Sequence, residues 1–208
     1  VITDDRQYRT QTRILDAAEN LFRRFSFLGL RMRQIADHVG LSRKTLYNHF
    51  PGGKREIWTR CVERRMEEFA RRLVDLVGDT RRDYVDRARD ILDIGREAVE
   101  VFYGPRGMLA THEDEQMVFP ELRQRYVDAL TRFFQEGTER GYLRPGLPIR
   151  SLALSLVVLI AEWGRPGAFL DSGEVKSLPE FVETVLFDGI LSDRGRRNVH
   201  RLHGGSNE

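Results

Sequence analysis

Apolar residues recur at helical spacing along most of this chain, with polar residues filling the intervals. The first clear run is Thr10 to Phe25, where Ile14, Ala17, Ala18, Leu21, Phe22 and Phe25 mark one wide face of an amphipathic helix. Met32, Ile35, Ala36 and Val39 repeat that spacing over a much shorter segment. Gly40 comes next, at a point where left-handed backbone costs little. Leu41 then fills the angle between helices, and Ser42 is a good amino-terminal cap for the next one. A second short helix is expected from about Arg43 to His49, stopped by Pro51-Gly52-Gly53. Leu21, Phe22, Ile35, Val39, Leu46 and Phe50 should form the core that the three helices share. About fifty residues is marginal for an independent domain, so the third helix is expected to lean on the helical segment after it.

The pattern stays helical beyond this head. Ile57, Trp58, Cys61, Val62, Met66, Phe69, Leu73, Leu76 and Val77 predict a long helix from Lys54 to about Val77. Because it starts in the head and runs into the body, it is a candidate lever between them. Further helices are expected at Tyr84–Phe102, Pro120–Gly137, Pro148–Trp163 and about Glu174–Leu191, broken by Gly- and Pro-containing loops. The stretch Met108–Met117 is polar and irregular, and the tail from Ser192 to Glu208 is polar and expected to be disordered. No alternation supports a strand, and neither a repeat nor a useful heptad run is present. The expected fold is all-α: a helix-turn-helix domain at 1–55, a helical body at 56–191, and the tail at 192–208. In the penultimate helix Leu152, Leu154, Leu156, Val157, Val158 and Ile160 point in several directions, more than a surface helix requires. One face could serve the core and another a twin subunit.

Charge sharpens the picture. Residues 1–58 hold eleven Lys and Arg against six Asp and Glu, an excess of five in a chain whose total is +2. A basic amino-terminal module on a slightly acidic body suggests a polyanion partner at one end. Cys61 is the single cysteine, so no intrachain disulfide forms, which favours a reducing compartment; its helical position suggests a packed thiol. The first residues are charged and lack an apolar run, so no signal peptide is expected. The longest apolar run, Leu152–Ala161, is too short to span a bilayer. A cytoplasmic protein with no membrane partner is therefore expected. Enzyme chemistry finds no support. Gly52-Gly53-Lys54 lacks the spacing and hydroxyl of a phosphate-binding loop. His112-Glu113-Asp114-Glu115 reads as a solvated acidic patch rather than a metal site, and no triad is suggested. No catalytic residue, metal or cofactor is assigned.

Two short helices around a tight turn, with cations, hydroxyls and an aromatic crowded on the second, are how a protein places a helix in the major groove of DNA. Tyr47 faces outward because Leu46 and Phe50 already fill the inward positions. Arg43 and Lys44 oppose the helix dipole, a cost relieved if DNA lies there. As ordinary solvated residues, Arg43, Lys44 and His49 would explain themselves as well.

The segment Thr10–Ile57 resembles the DNA-binding domain of the TetR family of bacterial transcriptional regulators. The resemblance rests on Ile14-Leu15-Asp16-Ala17-Ala18 with Leu21-Phe22, on Ile35-Ala36, on Gly40-Leu41-Ser42, on Thr45-Leu46-Tyr47 with His49-Phe50, and on Lys54. It covers roughly a quarter of the chain. It implies DNA contacts from Arg31, Arg33, Ser42, Arg43, Lys44, Thr45, Tyr47, Asn48, His49 and Lys54. Two departures stand out. Arg31 occupies a place where the family has Ser or Thr, so the next helix start should be weaker by about a kcal/mol or be served by water. Pro51-Gly52-Gly53 lengthens the link before Lys54 and puts the register of that lysine in doubt.

The resemblance also implies a homodimer through the last two helices, with Leu152, Leu156, Val157, Ile160, Phe181, Val182, Val185 and Leu186 at the interface. It implies a small-molecule effector in the body as well. Phe102, Tyr103, Met108, Met117, Phe119, Tyr126, Phe133 and Trp163 could wall a pocket for an apolar or aromatic effector, although a plain core would account for them equally. The leading expectation is a dimeric repressor on double-stranded DNA with an inverted-repeat operator, released by that effector. The alternative is an effector-independent DNA organiser, or a protein-regulated adaptor, of the same fold.

Overall fold

In a computed structural model the described residues are 2–103, 120–163 and 188–197. They form α1 (Ile2–Gly29), α2 (Met32–Val39), α3 (Arg43–His49), α4 (Gly53–Gly78), α5 (Tyr84–Tyr103), α6 (Pro120–Glu139), α7 (Ile149–Trp163) and the short α8 (Asp188–Ile190). The protein is all-α; among the described residues the sole β element is one isolated antiparallel bridge, Leu143 to Leu191. The chain divides into two compact units: residues 1–68 with 100–118, and residues 69–99 with 119–208. Both α4 and α5 contribute residues to each unit.

The first unit is built around α1. Ile14, Ala18, Leu21 and Phe22 are buried with Ile35, Ala36, Val39, Leu46, Phe50, Ile57, Trp58 and Cys61. All six residues expected in the small core are among them. Cys61 donates its thiol to the Leu15 carbonyl at 3.6 Å, and burial pushes the thiol up to about 12. Phe25, expected inward, is 46 % exposed. Helix α1 also starts well before Thr10. Local bonds carry this extension: Arg9 pairs with Asp5 at 2.9 Å, and Thr10 and Thr12 bond the carbonyls of Arg6 and Tyr8 at 2.9 and 3.0 Å. Arg64 ties α4 to α1 through Asp16 and Glu19 at 2.7 and 2.8 Å.

The second unit packs α6 and α7 with α5 and the end of α4. Its core contains Leu73, Val77, Tyr84, Val127, Leu130, Phe133, Phe134, Tyr142, Leu143 and Ala153. Tyr84 lies between two rings, stacked on Phe133 at 4.4 Å and on Tyr142 at 4.7 Å. Its phenol donates to the Phe133 carbonyl at 3.4 Å. Gly137 makes room for that ring, since a Cβ there would stand 2.7 Å from the ring carbon bearing the hydroxyl. The Leu143–Leu191 bridge brings the last described segment onto the α6–α7 loop. Residues 193–197 are helical and Gly195 is buried. Ser192 fastens them, its Oγ donating to the Tyr142 carbonyl at 3.0 Å and accepting from the Gly195 amide at 3.1 Å. The tail expected to be loose from Ser192 onward is thus ordered over its first residues. A polar sequence hid a serine whose hydroxyl organises a turn. Of the helix expected at about 174–191, residues 174–187 lie outside the described residues, Asp188–Ile190 are helical, and Leu191 is in the bridge.

Candidate nucleic-acid interface

The turn between α2 and α3 is set by two residues. Gly40 has φ +67°, and the Leu41 amide beyond it closes on the Ala36 carbonyl at 3.0 Å, a left-handed helix end that glycine adopts without strain. Ser42 then opens α3: its Oγ accepts from the Thr45 amide at 3.0 Å and bonds the Thr45 hydroxyl at 2.8 Å. Both hydroxyls are therefore engaged in building the start of the helix, while the exposed Ser42 remains on the surface. Leu46 is fully buried and fixes the helix rotation. Arg43, Lys44, Tyr47 and Asn48 are left on the outer face, with no acidic residue in the first turn.

Tyr47 is 42 % exposed. A Cβ on Gly53, where φ is +67°, would lie 3.3 Å from its ring. The glycine of the lengthened link thus provides both the positive φ that starts α4 and the space beside this ring. His49 is half-buried; its carbonyl accepts from Gln11 at 3.4 Å, and its Nδ1 is enclosed without a partner. Arg13 holds the Val39 carbonyl at 2.9 Å. Side chains of α1 therefore grip the carboxyl ends of both α2 and α3.

Two of the expected contact residues, Arg31 and Lys54, stand at helix ends whose backbone groups are served in ways the sequence did not indicate. Arg31 lies just before α2, exposed, and makes no side-chain cap. A guanidinium has no acceptor to offer. Gln34 compensates: its side-chain oxygen accepts from the Arg31 amide at 2.8 Å, and the Gln34 amide bonds the Arg31 carbonyl at 3.0 Å. The glutamine three residues past the cap is half of the usual pattern, and it leaves the Arg31 guanidinium free to meet a phosphate. Lys54 departs further from expectation. Its ammonium donates to the carbonyls of Phe27 at 2.7 Å and Leu30 at 2.9 Å, and lies 4.3 Å from the centre of the Phe27 ring. It closes the carboxyl end of α1, where unpaired carbonyls favour a cation. Burial lowers its pKa from the ordinary lysine value. Arg33 is exposed on α2 and pairs with Asp37 at 3.5 Å, a contact that DNA could displace at little cost.

The other expected sites are partly visible. Phe102 is buried in the first unit, whereas Tyr126 and Phe133 belong to the second. Phe133 is a wall of the ring stack, already filled by Tyr84. Met108, Met117 and Phe119 lie outside the described residues, as do the side chains of Tyr103 and Trp163. The second unit has an open cleft of about 510 Å³ lined by Arg72, Asp75, Leu76, Asp79, Arg82, Asp90, Asp93, Ile94 and Glu97. It is crossed by the Arg72–Glu97 and Arg82–Asp90 pairs at 2.7 and 2.6 Å, so it is charged rather than aromatic. On α7, Leu152, Leu156 and Val157 are half-buried against the core. Leu154 and Val158, one turn apart, are instead 49 % and 45 % exposed. Phe181, Val182, Val185 and Leu186 and the side chain of Ile160 lie outside the described residues. Among the described residues no group of side chains could hold a metal ion, and no helix is long and apolar enough to cross a membrane.

Comparison with known proteins agrees with this geometry. Residues 14–60 match the family model described as bacterial regulatory proteins, tetR family. The chain is 23 % identical over 158 residues to an uncharacterized HTH-type transcriptional regulator, YfiR, of Bacillus subtilis (strain 168), covering 73 % of this chain and 77 % of that one. Among solved structures it resembles a TetR-family transcriptional regulator from Pectobacterium atrosepticum, with a TM-score of 0.68 and 20 % identity over 91 % of this chain and 97 % of that one. It also resembles a gamma-butyrolactone receptor, an ArpA-like protein, with a TM-score of 0.60 and 20 % identity over 93 % of each chain.

Proposed function

From a chain that belongs to the TetR family of bacterial regulators, and is therefore a DNA-binding transcriptional regulator rather than an enzyme, we propose a cytoplasmic homodimeric repressor that binds an inverted-repeat operator and is released by a small molecule. The observation that carries the DNA reading is the outer face of α3. Arg43, Lys44, Tyr47 and Asn48 are exposed together on a helix whose start, rotation and end are all held by other groups. Such a face can enter a major groove without rearrangement, and its cations displace counterions from the backbone. Arg31 and Arg33, exposed at the start of α2, extend the same contact. Thr45 and His49 border it, whereas Lys54 spends its ammonium on two carbonyls at the end of α1 and stands outside the contact.

Two-fold pairing is supported by α7, where Leu154 and Val158 present apolar surface that the second unit leaves uncovered. With the expected last helix, they would meet their own copy across a self-complementary interface. The small-molecule part of the reading is supported by the fold's likeness to a gamma-butyrolactone receptor and by the unbroken course of α4, which starts immediately after α3 and ends in the second unit. A ligand binding one form of the dimer better would act through that helix. The test is selection of bound DNA from a random pool, with subsequent release of that DNA by a panel of small apolar compounds. An inverted repeat that a compound of the panel dissociates supports the reading. Selection of no sequence sinks it, and a selected repeat that resists every compound favours the effector-independent organiser.

A further inference from the structure

Arg87, in the first turn of α5, is fully buried. Its guanidinium donates to the Val77 carbonyl at 2.9 Å, pairs with Glu136 of α6, and lies 5.8 and 5.5 Å from the ring centres of Tyr84 and Phe133. Its Nε is enclosed with no partner. Val77 stands in the last turn of α4, whose carbonyls have no partner within the helix. As a stabilising device this is a costly choice. A buried ion pair seldom contributes more than well-packed apolar side chains would, and the orphan Nε adds to the cost. As a geometric device it is well suited. A planar fork bonded to two elements fixes their mutual orientation in a way that an apolar contact or a single ammonium does not.

We propose that Arg87 is a positioning residue for DNA binding: its fork pins the carboxyl end of α4 to α5 and α6, and so holds the ligand-free protein in its operator-binding form. The inference rests on the proposed function, because α4 is the helix that begins directly after α3. Without the pin, the end of α4 samples other placements, and only a fraction of the molecules keeps the form that fits the operator. Affinity falls by that fraction.

The experiment uses the full-length protein and the operator that the wild type selects from a random pool. In Arg87→Met/Glu136→Gln no buried charge is left unpaired, so the fold should survive while the bond to Val77 is lost. The expected result is a melting temperature near that of the wild type, faster hydrogen exchange confined to residues 74–78, and operator binding weaker by about ten-fold. Arg87→Lys is the second variant. It keeps the charge beside Glu136 but replaces the fork by one ammonium, and it should weaken binding in the same direction by less. Wild-type operator affinity in both variants overturns the inference and leaves the proposed function standing. A wild-type protein that selects no DNA overturns both.

Discussion

Replacing Lys54 by Met separates two roles that the same residue could play. The ammonium reaches the Phe27 and Leu30 carbonyls at 2.7 and 2.9 Å. A hydrogen bond from a charged donor contributes about 1.5–3 kcal/mol when well shielded. The side chain is only half-buried, so the two together, with the Phe27 ring contact, come to about 2 kcal/mol. Methionine keeps the stem's packing and removes the charge. The first unit should therefore lose about 2 kcal/mol, read by native-state hydrogen exchange of amides in α1 and α2. The salt dependence of operator binding should not change. A lysine on a phosphate predicts the converse: normal exchange, and a log–log salt slope shallower by about 0.9 for each head. That outcome would refute the assignment of Lys54 to the end of α1.

Other positions carry expectations of their own. Tyr47→Phe should weaken binding to every sequence by about ten-fold, the loss of one phosphate bond of about 1.5 kcal/mol, with the selected motif unchanged; a changed motif would make Tyr47 a base reader. Leu154→Glu or Val158→Glu, on an exposed face, should give a folded monomer in analytical ultracentrifugation that has lost operator affinity, whereas persistence of the dimer would move the interface elsewhere. Phe133→Ala should destabilise the second unit by about 3–5 kcal/mol through loss of the ring stack, and a variant that keeps wild-type melting would return Phe133 to the pocket. Burial alone would raise the Glu136 carboxyl, but hydrogen bonds from Arg87 and Arg140 outweigh it and hold it below its ordinary 4.5. Its contribution is therefore present above that value and is lost as pH falls through the lower folded value. Glu136→Gln should flatten the acid loss of melting temperature over that window, and a parallel curve would show that the pair contributes nothing to acid stability.

What could be read in the sequence was local. Gly40 as a left-handed end, Ser42 as a cap and Leu46 as the buried anchor of α3 each come from residue type and spacing, and the geometry repeats them. What could not be read was mostly a matter of acceptors without identity. Lys54 reaches carbonyls of residues 27 and 30, and any side chain at those positions would present the same oxygen. The early start of α1 escaped because an i,i+4 ion pair and threonine-to-carbonyl bonds leave no apolar period. The glutamine that serves the start of α2 stands three residues past Arg31, but without a hydroxyl or carboxylate at the cap itself the reciprocal pattern is incomplete and its type alone marks nothing. On α7 the apolar count indicated two faces, yet only burial separated Leu154 and Val158 from Leu152, Leu156 and Val157.

The tight fit of Gly137 to Tyr84 carries a consequence for divergence. With a Cβ at 137 placed 2.7 Å from the phenol carbon and 3.0 Å from Leu143, the two positions are not free to drift separately. A lineage that acquires alanine or serine at 137 must first have exchanged the tyrosine at 84 for something shorter, and would give up both stacking partners of that ring in doing so. The order of such changes is constrained: among sequences descended from this one, a side chain at 137 should be found only where position 84 is no longer tyrosine, whereas position 84 can change while glycine stays.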